Sequence, residues 1–411
     1  MLYCGIDWGE QALEYHLRTP DSEVLTQGSV KPDAAGIAEL FATLDGHARP
    51  DQIAVGIETA HGAWVQALLD RGYLVYALNP KTVDAFREAL SAAGNKSDRI
   101  DAGVIARFLA ACQKDLHPLR PDAPEIIALR IACQDRVRLV QERTAKLNEL
   151  RSVLKIVYPA FIGFFADIES QIALEFLQQF PTQDQMRTLS GRRLQGWLSR
   201  HGYTATSRIP EMKIRLEQPV LPVPAHLQSA KVPLITYLAR SLLALQAEIA
   251  ECDGRIREMF EAMPEADWVS SLPGAGPVLS ACLLACIGRD PQRFADVDDA
   301  RALMGTAPVT KASGKSRVVL VRRGCWKFAR RSLHLFADHS RRTCAWAQAF
   351  YERQISRGSR HHAAIRALAH KWLKIILAMK RTGARYEEAR FTHSQRRYLL
   401  KAAELKIGTP A

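Results

Sequence analysis

The chain has 411 residues, 47% apolar and 24% charged, which suits two or three domains with sizeable cores and excludes wholesale disorder. Lys and Arg number 56 against 43 Asp and Glu, but the balance is lopsided. Residues 311–411 hold 24 basic and 5 acidic side chains, a net of +19, while residues 1–310 carry a net of −6. A carboxylate-bearing front joined to a strongly basic rear points to metal chemistry directed at a polyanion, with a solvated basic surface as the plainer alternative. No run approaches the ~18 uninterrupted apolar residues of a membrane span, and the start MLYCGIDWGE lacks a basic-then-apolar leader, so a cytoplasmic location is expected. Eight scattered cysteines without a Cys-x-x-Cys fit a reducing compartment rather than a disulfide framework or structural zinc.

Residues 1–115 alternate strand and helix signals. Leu2–Ile6 is a short apolar run, Glu14–Arg18 and Glu23–Val30 read as neighbouring strands, and Ala34–Leu44 has helical spacing. Gln52–Ile57 and Tyr73–Leu78 are further buried-strand runs flanking a helical Ala63–Leu69, and Asn79-Pro80 stops the last of them. Lys81–Leu90 and Asp98–Cys112 then read as helices. Three strands followed by alternating helix and strand predict a mixed α/β sheet covered by helices, an order compatible with a ribonuclease-H-like fold.

The middle is helical. Glu125–Tyr158 contains no Gly or Pro, and residues 159–230 are punctuated by both and resist assignment. Ile235, Leu238, Leu242, Leu245, Ile249, Cys252, Ile256 and Met259 step by three and four, the seam of a coiled coil that pairs either within one chain or across a dimer. From 263 onward a third unit begins. Ser271–Pro277 forms a Gly-Ala-Gly turn before the apolar helix 278–287, a helix-hairpin-helix pattern whose Gly274 and Gly276 amides would suit a phosphate, or an ordinary turn between packed helices. Trp326–Trp346, Phe350–Arg357 and His361–Arg381 read as basic helices.

Four carboxylates fall where chemistry could use them. Asp7 follows the first strand and Glu58 follows the Gln52–Ile57 strand, so both would project from carboxyl ends of neighbouring strands into one crevice. Asp98 and Asp101 lie one turn apart at the start of a helix. Hard oxygen ligands from several elements suit Mg²⁺ or Mn²⁺ acting on a phosphodiester, with one or two ions; N-capping is the alternative role for Asp98. Downstream, Lys311-Ala-Ser313-Gly-Lys315-Ser316-Arg317 places a hydroxyl among cations that would hold a phosphate, although a serine beside glycine is also a common turn residue. Gly314-Lys315-Ser316 is not a P-loop, because Val309 stands where the first glycine must be. Arg322, Arg323, Lys327 and Arg330 form either a phosphate-contacting or a solvated basic face, and His361-His362 are assigned to the surface or to phosphate contact.

These residues resemble a known family. Gly5-Ile6-Asp7-Trp8-Gly9, Glu58-Thr59, Asn79-Pro80 and Ser97-Asp98-Arg99-Ile100-Asp101-Ala102 are similar to the motifs of the DEDD transposases of the insertion-sequence-110 family. Leu272-Pro273-Gly274-Ala275-Gly276-Pro277 resembles that family's Pro-Gly-hydrophobic-Gly-Pro signature, and Phe294-Ala295 with Ala300–Pro308 its next block. The resemblance implies a RuvC-like nuclease domain at 1–115, a helical coiled-coil domain at 120–262 and a basic C-terminal domain at 263–411. It implies that Asp7, Glu58, Asp98 and Asp101 bind Mg²⁺ and that Ser313, with Ser316 as the alternative, attacks DNA. It also implies a structured non-coding guide RNA, a homo-oligomer from dimer to tetramer with the Ile235–Met259 seam as a candidate contact, and residence with the nucleoid. A metal-dependent nuclease using water, or a non-enzymatic nucleic-acid-binding protein, are the rival classes.

Overall fold

The structure, a computed structural model, describes residues 1–60, 62–90, 97–120, 122–219, 222–291, 293–294, 296–314 and 316–389. Contacts divide it into two compact units, Met1–Pro121 and Asp122–Ala411.

The first unit contains β1 (Leu2–Trp8), β2 (Leu13–Arg18), β3 (Val24–Val30), α1 (Ala34–Asp45), β4 (Ile53–Ile57), α2 (Ala63–Arg71), β5 (Leu74–Ala77), α3 (Pro80–Leu90) and α4 (Asp98–Cys112). The strands form one sheet in the order β3-β2-β1-β4-β5. β2 runs against both its neighbours, while β1, β4 and β5 are mutually parallel. This is the mixed α/β sheet, in ribonuclease-H-like order, that the apolar runs predict. β1 is longer than its apolar run suggests: Asp7 and Trp8 still pair with Glu14 and Leu13 of β2, so Asp7 lies inside the strand rather than beyond it.

Alternation along β1 sends Cys4 and Ile6 to one face, where Leu40, Leu44, Trp64 and Leu68 cover them. Tyr3 lies on the other face, in a cluster with Ala54, Val104, Ile105 and Leu109. Gly5 lets α4 approach that second face closely. A Cβ at Gly5 would overlap the carbonyl oxygen of Ala102 and lie 2.5 Å from the amide nitrogen of Ala106.

The second unit begins with α5 (Pro124–Val157), α6 (Gln171–Gln179), α7 (Gln183–Arg187), α8 (Gly191–Arg200), α9 (Ile209–Glu217) and α10 (Ala225–Glu261). It continues with α11 (Ala266–Ser270), α12 (Pro277–Ile287), α13 (Val297–Leu303), the hairpin β6 (Val309–Ser313) and β7 (Ser316–Leu320), then α14 (Lys327–Thr343), α15 (Ala345–Ser356) and α16 (His361–Thr382).

The long helices α5 and α10 pack antiparallel, and two hydrophobic cores sit along them. Leu147, Leu150 and Leu154 of α5 meet Ile235, Leu238 and Leu242 of α10 in one core, with the aromatic cluster Phe161, Phe164, Phe176 and Trp197. Ile126, Leu129 and Cys133 meet Ile256 and Phe260 in the other, which α12, α14 and α16 complete. The heptad-like seam of α10 is therefore buried against its own chain, the intrachain one of the two pairings that the sequence leaves open. Ser280–Ile287 of α12 is buried throughout, which places Cys282 and Cys286 in the core. Trp372 is fully buried, with Trp326 and Trp346 packed against the same core.

Asp122, with its side chain only 1% exposed, ties this core's polar rim together. It accepts from the backbone N–H of Arg289 at 2.9 Å and pairs with Arg130 and Arg293. Those partners hold its carboxyl below the ordinary value of 3.8 against the opposing push of burial. Nearby, Lys380 donates to the carbonyls of Ile287 and Asp290 at 3.0 and 2.6 Å, and burial pushes its pKa down to about 8.

Candidate active site

The carboxyl ends of β1 and β4 lie side by side. Ile6 pairs with Ile57, so the next residue in each strand direction, Asp7 and Glu58, occupies adjacent positions at one edge. Directly opposed residues share a face, and Gly5 and Gly56 both turn toward α4, so Asp7 and Glu58 turn to the α4 side. α4 brings its first turn there. A Cβ on Gly9 would stand 3.9 Å from Asp98 Oδ2, which puts that carboxylate beside the chain leaving β1.

Ser97 is the N-cap of α4, its Oγ accepting from the Ile100 N–H at 3.3 Å. The capping role considered for Asp98 therefore belongs to Ser97, and Asp98 is an exposed first-turn residue. Asp101 follows one turn later but faces Arg87 of α3, whose Nη1 donates to its Oδ1 at 2.6 Å. Arg87 also donates to Asp84 at 2.6 Å, and Asp101 raises the affinity of the guanidinium for its proton.

Sequence reasoning overlooked two members of this neighbourhood. Arg87 is one; the other is Glu14 of β2, which lies opposite Asp7 across the β1–β2 pair and next to Ser29 of β3. Glu14, Gln27, Ser29, Asp98 and Arg99 line a cleft of about 550 Å³ over this end of the sheet. The strand alternation Leu13-Glu14-Tyr15-His16-Leu17, buried at the odd positions, is the signal that places Glu14 on the α4 side.

The donor chemistry of this edge suits a hard divalent cation: carboxylate oxygens arrive from β1, from the end of β4 and from α4. Among the described residues, however, no three His, Cys, Asp or Glu side chains draw together as an ion's coordination shell, and Asp101 is engaged by Arg87.

In the second unit, Ser313 ends β6 and pairs with Ser316, the first residue of β7, across a two-residue loop. Gly314 adopts φ +54°, the left-handed conformation such a tight hairpin demands. Both serines are exposed, share one face of the hairpin, and lie on the same side as Lys311, two residues back along β6. Lys315 lies outside the described residues, as does the side chain of Arg317.

Arg322, just past β7, donates to the Ala307 carbonyl at 3.4 Å, and Arg330 donates to the Arg322 carbonyl at 3.3 Å. Arg323 and Lys327 are exposed beside the start of α14. Gly274, at φ +76°, packs against α14 near His339 and Thr343, whereas Gly276 is exposed with open space around its Cα at the start of α12. The structure thus gathers Asp7, Glu58 and Asp98 at one sheet edge of the first unit. It places Ser313 and Lys311 toward the tip of one hairpin of the second, with Arg322 and Arg330 at its foot.

Comparison with known proteins agrees with these motifs. Residues 4–159 match a transposase family of IS110 DEDD type, and residues 266–352 match the family described as transposase IS116/IS110/IS902, together more than half of the chain. A mini-circle protein named for transposition of IS117 in Streptomyces coelicolor is 27% identical, over 95% of this chain and 96% of its own. A protein of insertion element IS900 of Mycobacterium paratuberculosis is 28% identical, over 95% of this chain and 98% of its own. Among solved structures, Thermus thermophilus RuvC in complex with a Holliday junction substrate is 21% identical, with a TM-score of 0.23, and covers 29% of this chain and 99% of its own. The chain belongs to the IS110 family of insertion-sequence transposases.

Proposed function

We propose that this transposase cuts and rejoins the DNA of its own mobile element through two sets of side chains acting on one phosphodiester. Residues 1–115 serve as the RuvC-like nuclease domain, 120–262 as the helical coiled-coil connector and 263–411 as the basic domain that carries the serine. Asp7, Glu58, Asp98 and Asp101 would hold Mg²⁺ or Mn²⁺, which when bound neutralises charge on the phosphoryl oxygens. The observation that carries this reading is the side-by-side placement of Asp7 and Glu58 at parallel strand ends, under the first turn of α4.

Ser313 is the proposed nucleophile. Its hydroxyl oxygen bonds to phosphorus, the hydroxyl proton leaves, and the departing DNA strand carries away the former bridging oxygen as a hydroxyl. A DNA hydroxyl later attacks the serine–phosphate bond, restoring both the serine and a phosphodiester. Each step exchanges one phosphoester for another, so no external energy source is needed. Lys311 on the same hairpin face, with Lys315, Arg317, Arg322, Arg323, Lys327 and Arg330, would hold phosphates near it, and the amides at Gly274 and Gly276 would add a contact at the start of α12. Ser316 is a second candidate for one specific reason: it is the cross-strand partner of Ser313.

The family resemblance further suggests a structured guide RNA whose base pairing selects the DNA, and a homo-oligomer of dimers. Trapping tests the chemistry. Incubation with element-end DNA and Mg²⁺, followed by denaturing electrophoresis, should show a covalent protein–DNA adduct. The adduct should vanish in Ser313→Ala and persist in Ser316→Ala. Cleavage that continues in Ser313→Ala without an adduct would assign the chemistry to water instead.

A further inference from the structure

The helices behind the serine hairpin carry a cluster of which the proposed chemistry uses Arg330 alone. His334 of α14 meets His362 of α16, Nε2 to Nδ1, at 3.2 Å. His361 stands beside His362 with ring centres 5.0 Å apart, and its Nδ1 lies 2.9 Å from the Tyr351 hydroxyl of α15. Arg330 is one turn before His334 on α14, and Arg366 is one turn after His362 on α16.

Every feature of this cluster disfavours a bare protein surface. Burial and the charge of Arg330 together lower the pKa of Arg366, so the two guanidiniums repel each other. His334 is pushed down to about 4 by burial first, then by His362, Arg366 and His361. Asp338, the acid that faces His334 from its own helix, is already held by Arg341 at 2.7 Å and Arg342 at 3.2 Å. The first turn of α16 bears two histidines and no acid, contrary to the preference of a helix start for negative charge. The cluster connects directly to the hairpin, because Arg330 also donates to the carbonyl of Arg322 at the foot of β7.

We propose that His334, His362, Arg330 and Arg366 form a seat for a DNA phosphate flanking the serine hairpin, and that the imidazole pair takes up a proton as the phosphate arrives. An anion placed between the two guanidiniums offsets their repulsion and makes the imidazolium form favourable. In the unbound chain, the contact at 3.2 Å requires one imidazole to donate and the other to accept, so the pair is not doubly protonated there. Proton uptake on binding means that affinity rises as pH falls through the window between the free and bound imidazole pKa values. The proposal rests on the reading of this chain as a DNA-acting transposase, and its test separates the two.

The full chain is titrated with a fluorescein-labelled duplex of arbitrary sequence at pH 6 and pH 8 and fixed ionic strength. Wild type should bind about tenfold or more tightly at pH 6, since each proton taken up contributes up to about tenfold per pH unit. His334→Gln with His362→Gln should reduce that ratio to about threefold or less, the share of other surface histidines. Arg366→Ala should weaken binding about tenfold at both pH values. Imidazole titration of the wild-type chain by NMR, with and without duplex, gives a second readout that needs no variant: the His334 pKa should rise on binding. Equal pH ratios in wild type and the double histidine variant, or a shift produced by inorganic phosphate but not by duplex, would overturn the seat while leaving the transposase reading intact. A chain that binds no duplex at either pH would overturn both.

Discussion

Arg87 of α3 reaches Asp101 of α4 at 2.6 Å, so one of the four carboxylates expected to hold a cation already has a cation of the protein's own. With its other nitrogen on Asp84, the guanidinium spans two acids of neighbouring elements and fixes α3 against the first turns of α4. A divalent ion arriving at this edge must compete with Arg87 for Asp101.

Removal of that competitor should be directly measurable. Arg87→Ala should bind Mn²⁺ about fivefold more tightly than wild type, the order expected when a partly exposed opposing charge is deleted. Calorimetric titration of the full chain with Mn²⁺ reads this without any cleavage assay. An affinity unchanged or lowered in the variant would show that Asp101 takes no part in holding the ion.

The close approach of α4 to β1 leaves no room for a side chain at Gly5. Gly5→Ala should destabilise it by ~3 kcal/mol or more, because the new Cβ meets backbone atoms of Ala102 and Ala106 rather than a side chain able to turn aside. Gly254→Ala, in the interior of α10 with nothing within 4 Å of its built Cβ, should instead stabilise by ~0.5–1 kcal/mol through helix propensity. Urea denaturation of the two variants beside wild type checks the opposite signs.

Much of the first unit is legible in the sequence because its elements bury whole faces. The apolar runs at Leu2–Ile6, Gln52–Ile57 and Tyr73–Leu78 mark β1, β4 and β5, and Ser97-Asp98 marks the start of α4. The seam of α10 is equally plain, since Ile235 to Ile256 are all turned to one side. The serine hairpin is not. Val318, Val319 and Leu320 are all 43% exposed or more, so no alternation of buried and exposed positions distinguishes β7 from a loop. Helices α6 to α9 are short and bounded by Pro, Gly and Ser, so their burial comes from the long helices beside them rather than from local pattern. The Arg87–Asp101 pair is beyond reach for a different reason: the two residues lie on separate helices, and only the packing of α3 on α4 joins them.

Acid should loosen the second unit through Asp122. Its carboxyl titrates below the ordinary 3.8, so the stabilisation it confers is fully present above that value and is lost as pH falls through the lower, folded-state pKa. Asp122→Asn should cost ~3–5 kcal/mol at pH 7, because it leaves the half-buried Arg130 and Arg293 without their counter-charge. As pH falls below 3.8 the deficit should shrink, since the wild-type acid is then protonated as well. Thermal melts of both chains from neutral pH to well below that value check the convergence.

Salt dependence should separate phosphate contacts from structural arginines. Lys327→Ala and Arg323→Ala, both exposed, should each reduce the slope of log affinity against log salt by about 1 on duplex DNA. Arg289→Ala should leave that slope unchanged, because its guanidinium is spent on Glu265 at 2.6 Å. Slopes that do not change for Lys327 and Arg323 would remove them from the nucleic-acid face.

The antiparallel pair α5 and α10 runs past both hydrophobic cores of the second unit, and between the cores, near 138–146 on one and Leu245–Cys252 on the other, the two helices face each other with Glu169 bridging Arg143 and Gln246. Such a segment works as a ruler. Adding seven residues to each helix there would move the two lobes apart by about 10 Å at 1.5 Å per residue while keeping the facing side chains nearly in phase. The length of the pair thereby fixes the distance between the two cores, independently of the residues that build either.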